Sequence, residues 1–160
     1  MTKLFYALVI ASLSLPAFAQ DEGAKFGTLE EDSDKEIHAT SDTMEVQEEL
    51  GYAILEGNVL VIQGGSKLTA KKVRAEYTED RSEIQTIIAT GDVVLLSGGD
   101  IAKGNEAVYE IDKNTITLIG NAYVKQGKDT MNSERAVLNT LTGSSVMTGR
   151  VTTVLTPKKD

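Results

Sequence analysis

The 160-residue chain has no cysteine, no tryptophan, one histidine (His38), two prolines and three phenylalanines, Phe5, Phe18 and Phe26. Without cysteine there is no disulfide framework, no thiolate chemistry and no Cys-based metal site. His38 has no second histidine with which to share a metal, and no motif places a serine against it, so it reads as a surface residue. Sixteen Lys and Arg stand against 24 Asp and Glu, a net charge of −8. A nucleic acid partner is argued against, because a phosphate backbone is gripped by excess basic groups. No calcium-loop or Walker spacing is present. Asp42, Asp92, Asp100 and Asp112 fall at corners or turns, where carboxylates cap backbone amides. The expectation is a protein that is not an enzyme and that holds no cofactor and no metal.

What the chain does have is one stretch written four times: Leu55-Glu56-Gly57-Asn58-Val59-Leu60-Val61, then Ala89 to Leu95, Leu118 to Val124, and Met147 to Thr153. The glycines Gly57, Gly91, Gly120 and Gly149 are 34, 29 and 29 residues apart, periods that mark a repeated supersecondary unit. Side chains two apart on a strand share a face. In step with the glycine stand Ala53, Leu55, Val59 and Val61; Ile87, Ala89, Val93 and Leu95; Ile116, Leu118, Ala122 and Val124; Met147 and Val151, all apolar. Out of step stand Glu56, Asn58, Thr90, Asp92, Thr117, Asn121, Thr148 and Arg150, mixed with a few apolar groups. One face of the strand is dry and the other is amphipathic.

Between the glycine strands runs a second kind, Ile37 to Val46, Leu68 to Tyr77, Ile101 to Ile111 and Thr130 to Leu138. In each, a small or sulfur residue recurs five positions on: Ala39 and Met44, Ala70 and Ala75, Ala102 and Ala107, Met131 and Ala136. Five is odd, so a regular strand would point the two opposite ways. An extra residue between them, a β-bulge, would put both inside; a break into two strands fits equally well. Either way the sheet turns there.

Short clusters of Gly, Asp, Asn and Ser separate these stretches and read as hairpin turns. Eight long strands follow: 37–47, 51–63, 67–78, 83–96, 100–111, 115–126, 129–140 and 144–155. The fold class is all-β, a jelly roll or rolled-up sheet of long antiparallel strands. Ahead of it, Lys3, the apolar run Leu4 to Leu15 and the small residues Ala17 and Ala19 form a secretory signal peptide over residues 1–19. Residues 20–36, acidic and holding only Phe26 and Leu29 as large apolar groups, read as a flexible leader. The domain is expected over 37–156 and a short tail over 157–160, in a soluble, exported product.

Lys67, Lys71, Lys72 and Arg74 form the one basic cluster. It is either a solvated strand face or a contact for an anionic headgroup or acidic partner. The first and last strands carry little protection against edge pairing; the last has Arg150 as its only charge.

Ile37-His38-Ala39-Thr40-Ser41-Asp42-Thr43-Met44, then Leu55 to Gly64, then Leu68-Thr69-Ala70-Lys71-Lys72-Val73, behind a signal peptide, resemble the OstA-like domain of the LptA family of periplasmic lipopolysaccharide transport proteins. That pattern runs approximately I-x-A-D-x-L, G-N-V-x-V-x-Q-G, L-x-A-D-x-A, and the chain departs from it at Thr40 and Lys71, where the family commonly has Asp. The similarity spans roughly residues 37–155. It implies a twisted, partly open β-jelly roll in the periplasm whose apolar interior takes the acyl chains of the lipid A moiety of lipopolysaccharide. The groove would be lined by Met44, Leu55, Val59, Val61, Ala75, Val93, Leu95, Ala107, Leu118, Ala122, Val124, Ala136, Met147 and Val151. It also implies an LptC-like inner-membrane partner at the N-terminal edge, and an LptD-like outer-membrane partner or further copies at the C-terminal edge. A lipid acyl chain has about a dozen methylenes, each costing roughly 0.8 kcal/mol to expose to water, so an apolar trough carries it without chemistry. The competing reading is a structural or adhesive β-repeat protein with a closed core and no lipid ligand.

Overall fold

The computed structural model describes residues 25–157. A single helical turn, α1 (Leu29–Asp32), precedes ten strands: β1 (Ile37–Thr40), β2 (Thr43–Gln47), β3 (Tyr52–Gln63), β4 (Ser66–Tyr77), β5 (Ile84–Ser97), β6 (Asp100–Glu110), β7 (Thr115–Gln126), β8 (Asp129–Asn139), β9 (Ser145–Thr148) and β10 (Thr152–Val154). They form one antiparallel sheet in which β1 and β2 together pair with β3, β3 to β8 follow in chain order, and β9 and β10 together pair with β8. The two edges do not pair with each other, so the sheet is open. Six of the expected strands stand within a residue or two of their bounds. The first and last are each broken, at Ser41-Asp42 and at Gly149 to Val151.

The break and the bulges are one feature. Each ladder from β3 to β8 loses register by one residue in mid-strand, and in three of them a Gly-X pair of one strand faces a single residue of the next: Gly57-Asn58 faces Lys71, Gly91-Asp92 faces Asn105, and Gly120-Asn121 faces Glu134. Both residues of each pair take positive φ, from 82° at Gly57 and 47° at Asn58 to 79° at Gly149 and 47° at Arg150. Two successive left-handed residues swing the chain sharply. A crease therefore crosses the whole sheet along Asp42, Gly57-Asn58, Lys71, Gly91-Asp92, Asn105, Gly120-Asn121, Glu134 and Gly149-Arg150.

Parity around the crease explains the five-residue markers. Leu55 pairs with Val73 below it and Val59 with Ala70 above it. Alternation in the partner strand thus skips one residue at Lys71, and both Ala70 and Ala75 end up inside, each 8% exposed. In the second repeat the residues equivalent to Ala102 and Ala107 are Leu68 and Val73, two positions from those expected; Ala70 and Ala75 share their face because two is the strand period. Asp42 stands on the crease as Lys71 does.

The core is built from Leu55, Val59, Val73, Ala89, Val93, Ala102, Ile116, Leu118, Ala122, Val124, Ala136 and Leu138. Its ring is Phe26, the largest of the fully buried side chains, at 1% exposure. This corrects the reading of residues 20–36 as a solvated leader for the part that is described. Asp32 is also buried, and Leu29 packs against the core. Residues 1–24, where the signal peptide is expected, and 158–160 lie outside the described residues.

Candidate functional site

Each crease is held by a polar contact on its outer side. Asn58 Nδ2 donates to Asp42 Oδ2 at 2.9 Å, Lys71 Nζ meets Asp92 Oδ2 at 2.7 Å, Asn121 Nδ2 donates to Asn105 Oδ1 at 3.3 Å, and Arg150 stands 3.8 Å from Glu134. The crease side chain lies over the glycine of the following strand, so a Cβ on Gly91 would come within 2.8 Å of Lys71 Cβ, and one on Gly149 within 2.7 Å of Glu134 Cβ. That is why the repeat keeps glycine at this one position. These pairs are exposed, and exposed ion pairs contribute little stability.

Folding at the crease turns the sheet into two leaves. A cavity of about 90 Å³ lies between them. Its walls come from the upper halves of strands (Val61, Leu68, Leu95) and from the lower halves (Ile87, Ala107, Tyr109, Ile116), with Leu118 and Ala89 near the crease. Burial among these apolar groups pushes the Tyr109 hydroxyl above its ordinary pKa, against a smaller opposing effect from Thr140.

Of the residues expected to line a groove, Leu55, Val59, Ala75, Val93, Ala107, Leu118, Ala122, Val124 and Ala136 are buried between the leaves, and Val61, Leu95 and Met147 are partly buried against them. Met44 and Val151 are not. Met44 pairs with Leu55 and so stands on the interior face, yet it is 63% exposed, because β2 is an edge strand with nothing beyond it. Val151, at the other edge, is 49% exposed for the same reason. Ile37 and Val46 at the first edge and Leu155 at the last are exposed as well. The apolar lining thus runs through the molecule and emerges at both ends.

The basic cluster is largely neutralised by neighbours. Lys71 pairs with Asp92, Lys72 with Glu56 at 3.5 Å, and Arg74 with Glu76 at 2.8 Å while lying 3.8 Å from the Tyr52 ring centre. Among the described residues no ion pair holds Lys67, an exposed residue that alternates with the cavity-lining Leu68 and so faces outward near the open end of the crevice.

A family model described as LptA/(LptD N-terminal domain) LPS transport protein matches residues 38–152, the span of the creased sheet. The chain belongs to that family. It is similar to the lipopolysaccharide export system protein LptA of Escherichia coli strain K12, 28% identical over 171 aligned positions that cover 98% of this chain and 88% of that protein. It is also 28% identical to the lipopolysaccharide export system protein LptH of Pseudomonas aeruginosa, over 82% of this chain and 85% of that protein. The crystal structure of that LptH, described as the LptA-homologous periplasmic component of a lipopolysaccharide transport device, superposes with a TM-score of 0.73 at 22% identity. The superposition covers 79% of this chain and 99% of that one, and it shows the shared fold. The expected open, twisted LptA-type β-jelly roll is therefore the fold of this family member.

The sequence reading missed the end of the crevice. Asp32 Oδ2 accepts hydrogen bonds from the Ser66 hydroxyl at 2.7 Å and from the Thr28 hydroxyl at 2.8 Å. Ser66 Oγ and Ser97 Oγ are 2.7 Å apart, and Ser97 Oγ accepts from the Thr28 N–H at 2.9 Å. Since the Ser66 proton points at Asp32, Ser97 supplies the proton between the serines. Hydrogen bonds from the Gly65 N–H, then Ser66, then Thr28 hold the Asp32 carboxyl below its ordinary pKa of 3.8. Asp100 accepts from the N–H groups of Gly27 at 3.0 Å and Gly127 at 3.1 Å, the capping role expected of a turn carboxylate. The signal was present in the chain: Gly64-Gly65-Ser66 and Ser97-Gly98-Gly99-Asp100 are matching hairpin tips, and Phe26 and Leu29 stand alone in an acidic stretch.

Proposed function

We propose that this chain is a periplasmic lipopolysaccharide carrier that shelters lipid A acyl chains between its two leaves and hands them on at the edges of the sheet. The observation that carries the reading is an apolar lining continuous from Met44 at one open edge to Val151 at the other, in a member of a lipopolysaccharide transport family. A closed structural β-repeat is not favoured, because it would not leave its lining exposed at both ends. Lys67 is the residue of the basic cluster most available to an anionic headgroup, since it is exposed and the other three are paired.

The N-terminal edge is the docking site for an LptC-like partner, and the C-terminal edge for an LptD-like domain or a further copy. The repeat gives the register of a copy-to-copy junction. Strands with a Gly-X pair alternate with strands carrying one crease residue throughout the sheet, and Gly149-Arg150 at the last edge lacks its next crease residue. Asp42 of a second copy supplies it. Carrying over the pairing of Glu56 with Lys72 and Val59 with Ala70 sets Met147 opposite Met44, Thr152 opposite Thr40 and Leu155 opposite Ile37. Arg150 then approaches Asp42, an opposite charge. This accounts for Arg150 occupying φ 47°, which costs a bulky residue more than it costs Asn or Asp.

Cysteines at Thr40 and Thr152 test the junction. Directly opposed strand residues stand about 4.5–5.5 Å apart, within disulfide reach. In one chain the two are separated by seven strand spacings, roughly 34 Å along the sheet. Oxidation should give a ladder of disulfide-linked multimers from the double variant and dimers at most from a mixture of the single ones. Monomers alone across a range of protein concentrations would rule out copy-to-copy pairing.

A further inference from the structure

The cavity between the leaves is too small for the cargo. An apolar cavity of about 150 Å³ accepts a single benzene, and this one measures about 90 Å³. A chain of a dozen methylenes cannot enter without something moving. The sheet is a poor candidate, since its strands are joined by long ladders. Residues 26–35 are different. Their backbone-to-backbone hydrogen bonds stay within the segment, Asp32 to Thr28, Ser33 to Glu30 and Lys35 to Asp32. Their ties to the sheet run through side chains: Asp32 to Ser66, Thr28 to Ser97, Gly27 to Asp100, and Gln63 Nε2 to the carbonyls of Ser33 and Lys35 at 3.0 and 3.1 Å. Through these ties the segment places Phe26, 1% exposed, into a core otherwise made of Ala, Val, Leu and Ile, and Leu29 into the cavity wall.

We propose that residues 25–36 are a displaceable strap: Phe26 and Leu29 occupy acyl-chain volume in the empty carrier, and ligand entry lifts them off the rim. The inference rests on the reading of the crevice as an acyl-chain carrier and adds which part of the chain gives way. The strap is suited to the task by its composition. Its buried face is two apolar side chains that a hydrocarbon can replace in kind, so the apolar surface uncovered in the core is covered again by ligand. Its rim contacts are polar groups that water satisfies when they part. The ladder of β3 to β8 stays intact throughout, and the sheet edges remain available to partners.

A reversible lock tests this. A Cβ on Gly65 would lie 3.5 Å from Thr28 Oγ1, the place a cysteine sulfur at residue 28 would take, so a second sulfur carried by residue 65 can meet it at the S–S bond length of roughly 2 Å. Gly65 is not among the positive-φ glycines, and the chain has no other cysteine. The double variant Thr28→Cys, Gly65→Cys is compared oxidised and reduced with two probes, a fluorescent fatty acid with one twelve-carbon chain and purified lipopolysaccharide. With the strap locked the binding-competent fraction falls, and affinity for the fatty acid drops by at least about tenfold, in proportion to that fraction. Reduction restores it, which also controls for misfolding. Phe26→Ala binds the fatty acid more tightly than the wild type. Equal fatty-acid binding by the oxidised and reduced forms overturns the strap, whatever lipopolysaccharide does. Fatty-acid binding controlled by the lock, with no lipopolysaccharide bound in either state, upholds the strap and refutes the carrier reading.

Discussion

Replacing Gly91 with Ala probes the crease in the middle of the sheet. The substitution has two separable costs. Gly91 sits at φ 81°, where an L-residue is less stable by roughly 1–2 kcal/mol. Its new Cβ would also come within 2.8 Å of Lys71 Cβ. Both atoms are fixed to backbone, so the strands must part, and overpacking of this kind costs typically about 1–3 kcal/mol. Together they destabilise by about 2–5 kcal/mol, readable in urea unfolding as a lower midpoint at unchanged slope. Lys71→Gly removes the steric part only. The double variant Gly91→Ala, Lys71→Gly should therefore recover about 1–3 kcal/mol relative to additivity, a coupling well above the scatter for independent sites. A Gly91→Ala protein within about 0.5 kcal/mol of wild type, the range of an ordinary surface change, or a strictly additive double variant, would refute this account of the repeat.

Three further outcomes follow from the same geometry. Val93, 1% exposed, faces the crevice next to the crease, and Val93→Asp should abolish the folded β circular-dichroism signal, since an unpaired buried charge has no compensation there; a native-like spectrum would contradict its placement. Asp32 has a folded pKa depressed below 3.8 by hydrogen bonds from Gly65, Ser66 and Thr28, so its contribution is present above that pH and lost as pH falls through the folded value. Asp32→Asn should flatten the loss of stability on acidification below pH 3.8, and an unchanged acid limb would remove Asp32 from the strap's anchorage. Arg150→Asn relieves a bulky residue at φ 47°, a conformation Asn tolerates better, and should raise monomer stability, while weakening multimer formation in the Thr40–Thr152 crosslinking assay; a gain in both would sever Arg150 from the junction.

The strand pattern was legible because alternation and turn residues are local. Val59 with Val61, or Gly64-Gly65-Ser66, declare themselves within a few residues. The crease was half legible: the odd spacing of Ala102 and Ala107 demands a parity break, but whether it is a bulge or a gap depends on the left-handed pair Gly91-Asp92 across the ladder, which belongs to another strand. In the first repeat the gap was realised, because Ser41-Asp42 is an edge with one neighbour only. Burial at the ends was not legible at all. Met44 and Val151 have the same parity and polarity as Leu55 and Val124, and only the strand order leaves them uncovered. The strap escaped because composition averages over a window. Seven acidic residues in 21–36 outweigh one phenylalanine, although Phe26 is the fully buried ring of the core and Asp32 takes hydrogen bonds from Gly65 and Ser66 on a hairpin tip far along the chain.

The most direct measurement is of lipopolysaccharide carried by the protein itself. The full chain, exported in a Gram-negative host and purified from the periplasm without detergent, should retain lipopolysaccharide in near-stoichiometric amount by mass spectrometry of the intact complex. Photocrosslinkers substituted at Leu118 and Val124, on the interior face and both 0% exposed, should label its acyl chains, while the same group at the outward-facing, exposed Lys103 should not. Protein that folds, carries no lipopolysaccharide and labels none from Leu118 or Val124 would contradict the carrier.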